Sequence, residues 1–358
     1  MISNVMSVES DIVAKFSNED ENPTLIILDR RDDPVTPLLN QWTYQSMIHE
    51  LIGINNHRVK LENGEEVVIS PDQDEFFSKN MYKNYGEMAE ELNKLVDEFK
   101  SKNKSQAKVE SIEDMQRFME TYPEFKKYSG NVTKHVNIMG EISKKVNAKK
   151  LFQVSEVEQG IAIKSSKSEH TKEVEEIVND IEVDNLEKVR LVMLYAIRYE
   201  NESSNIRKFK NMLKDNGVKP EHIKFIDYVL EYAGKKKRSP FLFGKKDILS
   251  SALNIFRSNF NDVQNVFTQH KSSLCSIIDL QMKGKLNVSD FPYVAIAPEE
   301  KKTNDIIVFV IGGATYQEAK EVADFNNMSQ EHNIILGSTH IHNMMTFIAE
   351  ALQVEDYD

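Results

Sequence analysis

The densest set of ionisable side chains is Asp29-Arg30-Arg31-Asp32-Asp33, directly after the apolar run Leu25-Ile26-Ile27-Leu28. Carboxylates and guanidiniums in this position could do acid–base work or hold a metal, because open α/β sheets bind ligands at the carboxyl ends of their strands. They could equally form an ion-pair network that ties the strand end to the chain that follows, and this reading is preferred. Gly312-Gly313 lies between an apolar run and a helical pattern, where a phosphate loop would sit. No lysine–threonine pair follows and GxGxxG is absent, so a tight strand-to-helix turn is preferred. His340 and His342 have a spacing that a metal could bridge. Without cysteines or acidic residues around them they read as structural. Cys275 sits in an apolar helical run and reads as a buried small hydrophobe. GxSxG, HExxH and Cys-His signatures are missing, so the sequence offers no catalytic residue, no metal site and no cofactor site.

These residues need elements to position them. Pro34 and Pro37 lock φ and lack an N–H, so the chain turns rigidly after Asp33. From about Pro37 the apolar positions Leu38, Trp42, Ile48 and Ile52 take helical spacing, which predicts a helix with Trp42 in the sheet–helix core. Asn63-Gly64 between two short runs predicts a β-hairpin on the sheet edge. Apolar runs at 25–28, 306–311 and 334–336 predict one mostly parallel sheet, its strands buried on both faces. Helices are expected at 316–326 and 344–352, and an amphipathic one at 2–16.

From residue 71 to about 290 the patterns are almost all helical. Two arms, 86–100 with 112–119 and then 132–146, are joined through Pro123 and predict a projecting hairpin over about 86–147. Further helices are expected at 149–160, 170–181, 185–199, 203–216, after Pro220, at 247–256 and at 272–282. The fold class is therefore α/β with a large inserted all-helical module. The discontinuous sheet domain would comprise residues 1–70 and 291–358, and the helical domain residues 71–290. Residues 234–246, GKKKRSPFLFGKK, are the only strongly basic segment. A solvated loop is preferred there over contact with acidic headgroups or phosphates.

The chain has 358 residues and a net charge of −12, which argues against a nucleic-acid footprint. No apolar run reaches the roughly 20 residues of a membrane span, and the first residues lack the pattern of a signal peptide. One cysteine cannot form a disulfide within the chain, in keeping with a reducing compartment.

Several stretches together resemble the Sec/Munc, or SM, family of SNARE-binding regulators of vesicle fusion, in its endosomal and trans-Golgi branch. They are LIILDRRDDPVTPLLNQWTYQSMIHELIGI, EFKKYSGNVTKHV, NVFTQHKSSL, VFVIGGATYQEAK and IILGSTHIHN, spread from about Thr24 to Ala351. The resemblance implies the family's second domain in the sheet unit and its third in the helical unit. It implies a non-enzymatic scaffold, cytoplasmic and peripheral to Golgi and endosomal membranes, that organises syntaxin-like Q-SNARE and vesicle-side R-SNARE helices. No small-molecule substrate or nucleic acid is implied. The expected docking residues are at the hairpin: Pro123, Phe125, Tyr128, Val132, Lys134, His135 and Val136. Asp29, Arg30, Asp32, Asp33, Pro34, Trp42, Gly312 and Gly313 would be structural. Family members begin with another α/β domain, so the resemblance implies a shortened form, and binding through that domain is not carried over. The rival from another class is a nucleotide- or phosphate-dependent α/β enzyme using the 29–33 cluster and the Gly312-Gly313 turn. The rival within the family is the branch that serves a vacuolar tethering complex.

Overall fold

A computed structural model describes residues 23–103, 111–121, 132–238, 240–243, 266–294, 304–329 and 331–352. The helices expected at 2–16 and 247–256, and Pro123, Phe125 and Tyr128 of the hairpin, lie outside the described residues.

Strands β1 (Thr24–Asp29), β4 (Asp305–Ile311) and β5 (Asn333–Ser338) form one parallel sheet in the order β1-β4-β5. Thr24 pairs with Ile306, and Ile306 with Ile334. Ile26, Ile306, Val308, Val310 and Ile334 point to one face and pack under α12 (Ser273–Met282) and α13 (Tyr316–Met328). The strands were expected to be buried on both faces, and the structure corrects this. Leu25, Ile27, Phe309, Ile311 and Ile335 on the other face are between 36% and 54% exposed. Alternation along a strand sends every second side chain to each face. Among the described residues only one layer of helices covers the sheet.

The hairpin β2 (Arg58–Lys60) and β3 (Glu66–Val68) turns at Asn63-Gly64 as expected, but it stands apart as its own two-stranded sheet. The expected helix after Pro37 is also displaced. Residues Thr36–Leu38 make a 3-10 turn, Leu39 is extended, and α1 runs only over Tyr44–Leu51. Thr43 is extended and bridges Asn84, and Tyr44 N–H donates to Lys83 C=O at 2.8 Å. That pairing takes up the backbone where the apolar spacing alone would have started the helix.

Helices make up most of the remainder: α2 (Glu75–Asn80), α3 (Tyr85–Asn103), α4 (Ile112–Thr121), α5 (Val132–Ala148), α6 (Leu151–Ile163), α7 (Lys167–Asn179), α8 (Asn185–Arg198), α9 (Ser203–Asp215), α10 (Pro220–Ile223), α11 (Phe225–Ala233) and, near the carboxyl end, α14 (Met344–Leu352). They build two cores. One gathers Val35, Leu38 and Leu39 with α6 to α11 and α14. The other gathers Trp42 and α1 with the β2–β3 hairpin, α2 to α5 and Leu151. Contacts cross the expected domain division at many places, among them α12 on the sheet, α1 and the β2–β3 hairpin on α5, and α14 on α11.

Trp42 is buried as expected, at 2% exposure, but among the helices and not under the sheet. Its ring stacks on Phe152 at 4.8 Å and leans on Phe267 at 5.2 Å, and its N–H donates to Ser155 Oγ at 3.1 Å. Truncation leaves a cavity that these rings cannot close. Trp42→Ala should cost about 3–5 kcal/mol, the usual range for a buried aromatic. A urea midpoint close to that of the parent would show that the ring is not anchored in this way.

Candidate functional site

The charged turn after β1 divides by depth. Asp29 caps the short 3-10 turn Arg30–Asp32 and takes the Arg31 guanidinium at 3.0 and 2.5 Å, half exposed to solvent. Arg30 turns inward and is 2% exposed. Its Nη1 donates to both carboxylate oxygens of Glu318 at 2.9 Å, and its Nη2 lies 3.7 Å from Asp33. Glu318 also closes a capping box with Thr315 at the start of α13. Asp33 accepts from Thr36 Oγ1 at 2.7 Å, Thr36 N–H at 3.0 Å and Ser273 N–H at 2.9 Å. Burial pushes the Asp33 pKa up, but Arg30 and these hydrogen bonds outweigh it and hold the carboxylate ionised. Thr36 Oγ1 contacts His270 Nε2 at 3.1 Å. The hub thus joins DRRDDPVT, QHKSS and GGATYQE, three of the stretches that carry the family resemblance.

Gly312 and Gly313 have φ of +86° and +91°. A Cβ on Gly313 would lie 2.3 Å from the His342 ring, so only glycine lets that imidazole sit on the turn. His342 Nε2–H donates to Gly312 C=O at 2.7 Å, and burial pushes its pKa down to about 4, so the ring is neutral at physiological pH. The turn is the tight strand-to-helix connection that was preferred over a phosphate loop, and a histidine fills the place a phosphate would take. Arg30, Asp29, Asp32, Ser273 and Glu318 line a cavity of about 30 Å³ at this end of the sheet. That is small beside the roughly 300–1,000 Å³ of ordinary ligand pockets. Pro34 lies within the buried turn that follows Asp33. No group of three His, Cys, Asp or Glu among the described residues could hold a metal ion.

The hairpin's returning arm is fastened at its first turn. His135 Nε2–H donates to Asp74 Oδ2 at 2.9 Å. The acceptor-only carboxylate fixes this tautomer, so His135 Nδ1 accepts from Tyr44 O–H at 2.8 Å. Lys134 Nζ reaches Asp74 at 2.6 Å and Val68 C=O at 2.7 Å. Burial acts to raise the Asp74 pKa, but the His135, Lys134 and Phe77 hydrogen bonds overcome it and hold it below the usual range. His135 and Val136, expected on a partner-facing surface, are 0% and 1% exposed. The polar one is spent on an internal network and the apolar one on the helical core, so neither side chain is offered to a partner. Val132 packs half-buried against the same core.

A third cluster was not anticipated. Asn40, in the loop before α1, enters between α6 and α8. Its N–H and Nδ2 donate to the two Glu158 oxygens at 3.0 Å each, and Nδ2 also reaches Glu187 at 3.3 Å. Arg190 pairs with Glu187 at 3.2 Å and with Glu50, and Lys149 reaches Glu187 at 2.8 Å. Burial, with Glu187 beside it, pushes Glu158 up to about 7 against the pull of Arg190. The available signal was a carboxylate in register with the apolar stripe Val154, Val157 and Ile161.

Two predictions follow from these burials. Glu158 holds a proton in the folded chain over a pH range in which the unfolded chain has lost it. Native stability should therefore fall as pH rises from about 4.5 to 7, by roughly 3 kcal/mol in all. Glu158→Gln should flatten that decline in denaturant midpoints taken from pH 5 to 8, and an unchanged slope would refute the assignment. Arg30→Met strands Glu318 and Asp33 without their cation and should cost about 3–5 kcal/mol. Calorimetric melting near that of the parent would contradict it.

The comparisons with known proteins agree with this architecture. The Sec1 family profile matches residues 3–350. The vacuolar protein sorting-associated protein 45 of Rattus norvegicus is 42% identical over 360 residues, covering 98% of this chain and 63% of the relative. Its counterpart in Saccharomyces cerevisiae is 34% identical, with 91% and 60% covered. The chain therefore spans a little under two thirds of the length of these relatives. A solved complex of the SM protein Vps45 with the Qa SNARE Tlg2 superposes with a TM-score of 0.80 at 39% identity, covering 99% of this chain and 63% of that one. The Unc18–syntaxin 1 complex from Monosiga brevicollis, at 18% identity and a TM-score of 0.69, shares the fold. By this profile match and these relatives, the chain belongs to the Sec1 family.

Proposed function

We propose that this chain is a SNARE-binding regulator of vesicle docking and fusion in endosomal and trans-Golgi transport, working by organising helices without covalent chemistry. The observation that carries the reading is the similarity to Vps45 solved with the Qa SNARE Tlg2, which extends over 99% of the chain at 39% identity. The hub supports a non-catalytic role, because the inward charges of Arg30, Asp33 and Glu318 are committed to one another. No helix among the described residues is long and apolar enough to cross a membrane. Association with Golgi or endosomal membranes would then run through the SNAREs and peripheral contacts. The division into a sheet unit (1–70 and 291–358) and a helical unit (71–290) belongs to this proposal.

The docking face is narrower than the sequence alone indicated. His135 and Val136 face inward, and Lys134 is held by Asp74. Pro123, Phe125, Tyr128 and Val132 remain as the contact residues. Calorimetry with a Qa-SNARE helix and with a vesicle-side SNARE helix tests this. Phe125→Asp places a charge at a proposed apolar contact and should weaken binding at least tenfold, with the melting of the chain unchanged. Equal affinities of variant and parent would remove the hairpin as the docking face, and no binding of either helix would remove the SNARE reading.

A further inference from the structure

Three helices end at one pole of the helical unit: α6 at Ile163, α8 at Arg198 and α11 at Ala233. Their terminal carbonyls favour cations. Two arginines meet that demand. Arg198 Nη2 donates to Lys164 C=O at 3.0 Å. Arg238 Nη1 donates to Ala233 C=O at 2.8 Å, and its Nη2 to Ile197 C=O at 3.0 Å. Glu200 lies 3.5 Å from Arg238, and the Phe243 ring lies under both guanidiniums, 4.3 Å from Arg198.

Between Ala233 and Arg238 stand Lys235, Lys236 and Lys237, all exposed. None caps a helix, and none pairs with a carboxylate among the described residues. The turn that carries them is built firmly. Lys237 N–H and Arg238 N–H both return to Gly234 C=O, at 2.8 and 3.1 Å. Lys235 N–H donates to Glu200 at 2.7 Å. Gly234 lies so close to Leu230 C=O that a Cβ there would approach it to 2.3 Å. Exposed Lys164 adds a further cation at the same pole, and Glu231, one turn before Lys235, is the acidic side chain nearest along the helix. Capping explains the arginines. It leaves three adjacent lysines on a rigid mount, their side chains without a carboxylate partner among the described residues.

We propose that this lysine turn is a contact for the anionic headgroup surface of a lipid bilayer. Lysines close to such a surface each add attraction that decays within a Debye length. The net charge of −12 does not oppose this, because at physiological salt fields are screened beyond about 8 Å and the membrane meets only the local charge. The proposal does not rest on the SNARE reading, since it concerns bilayers that contain no protein.

The test is co-flotation of the whole chain with phosphatidylcholine vesicles and with vesicles carrying 30% phosphatidylserine, at about 0.1 M and 0.5 M salt. The parent should bind only the anionic vesicles, and only at the lower salt. Combining Lys235→Ala, Lys236→Ala and Lys237→Ala should weaken binding at least tenfold with unchanged melting. A control with the same net charge, Lys60→Ala with Lys172→Ala and Lys219→Ala, should stay within twofold of the parent. The proposal is overturned if the parent ignores the anionic lipid or fails to bind. It is also overturned if the turn variant binds like the parent, or if the control falls equally. Weakened binding of a SNARE helix by the turn variant, with flotation unchanged, would assign the lysines to an acidic helix instead.

Discussion

Arg30 carries a full positive charge at a place almost closed to solvent, and the arrangement of the sheet end follows from keeping that charge tolerable. A buried guanidinium is acceptable only with a well-placed anion. Glu318 supplies it from 288 positions away, and Asp33 adds a second carboxylate. Each partner then holds something else. Glu318 caps α13, which lies on the sheet. Asp33 anchors the backbone of Ser273, where α12 begins. The pair contributes little net stability by itself, but it specifies which helices may cover which strands. By that division of labour the charges at the usual ligand end of an α/β sheet are engaged in joining helices to strands.

The same logic recurs in the helical part at two further depths. Asp74 fastens α5 to α2 through His135 and Lys134, while Glu158 and Glu187 receive Asn40 from the sheet side of the chain. In each case a side chain distant in sequence completes a buried polar group that would otherwise be costly. The apolar cores supply most of the driving force, and these polar joints fix how the pieces are oriented.

How much of this could be read beforehand varied with the range of the interaction. Residues 306–311 are six consecutive apolar positions, and that strand, which runs over Asp305–Ile311, was read to within one residue. The helices from 185 to 233 were equally clear, because their stripes, the Gly217 break and Pro220 all act locally. The start of α1 was misplaced because Leu38, Leu39 and Trp42 have helical spacing, yet they serve two different cores. The hub was expected to be an ion-pair network tying the strand end to the helix that follows; ion pairs are there, but they reach Glu318, far along the chain, which could not be named. His135 and Val136 lie on an amphipathic stripe, which shows that a face is apolar without showing what covers it. The Glu158 cluster had only a carboxylate in an apolar register to announce it.

The pairing of β1 with β4 also has a consequence for how the chain is made. Thr24 must find Ile306, so β1 has no partner until the chain has been synthesised as far as β4, 282 positions later. At translation rates of about 5–20 residues per second, β1 waits roughly 15–60 s. The helices between them satisfy their backbones locally and collapse on shorter separations, so they are ready long before the sheet. During that interval Leu25, Ile27 and the unpaired edge of β1 are an aggregation hazard that nascent-chain chaperones would have to shield. The helical module between β1 and β4 therefore sets the timing of the sheet.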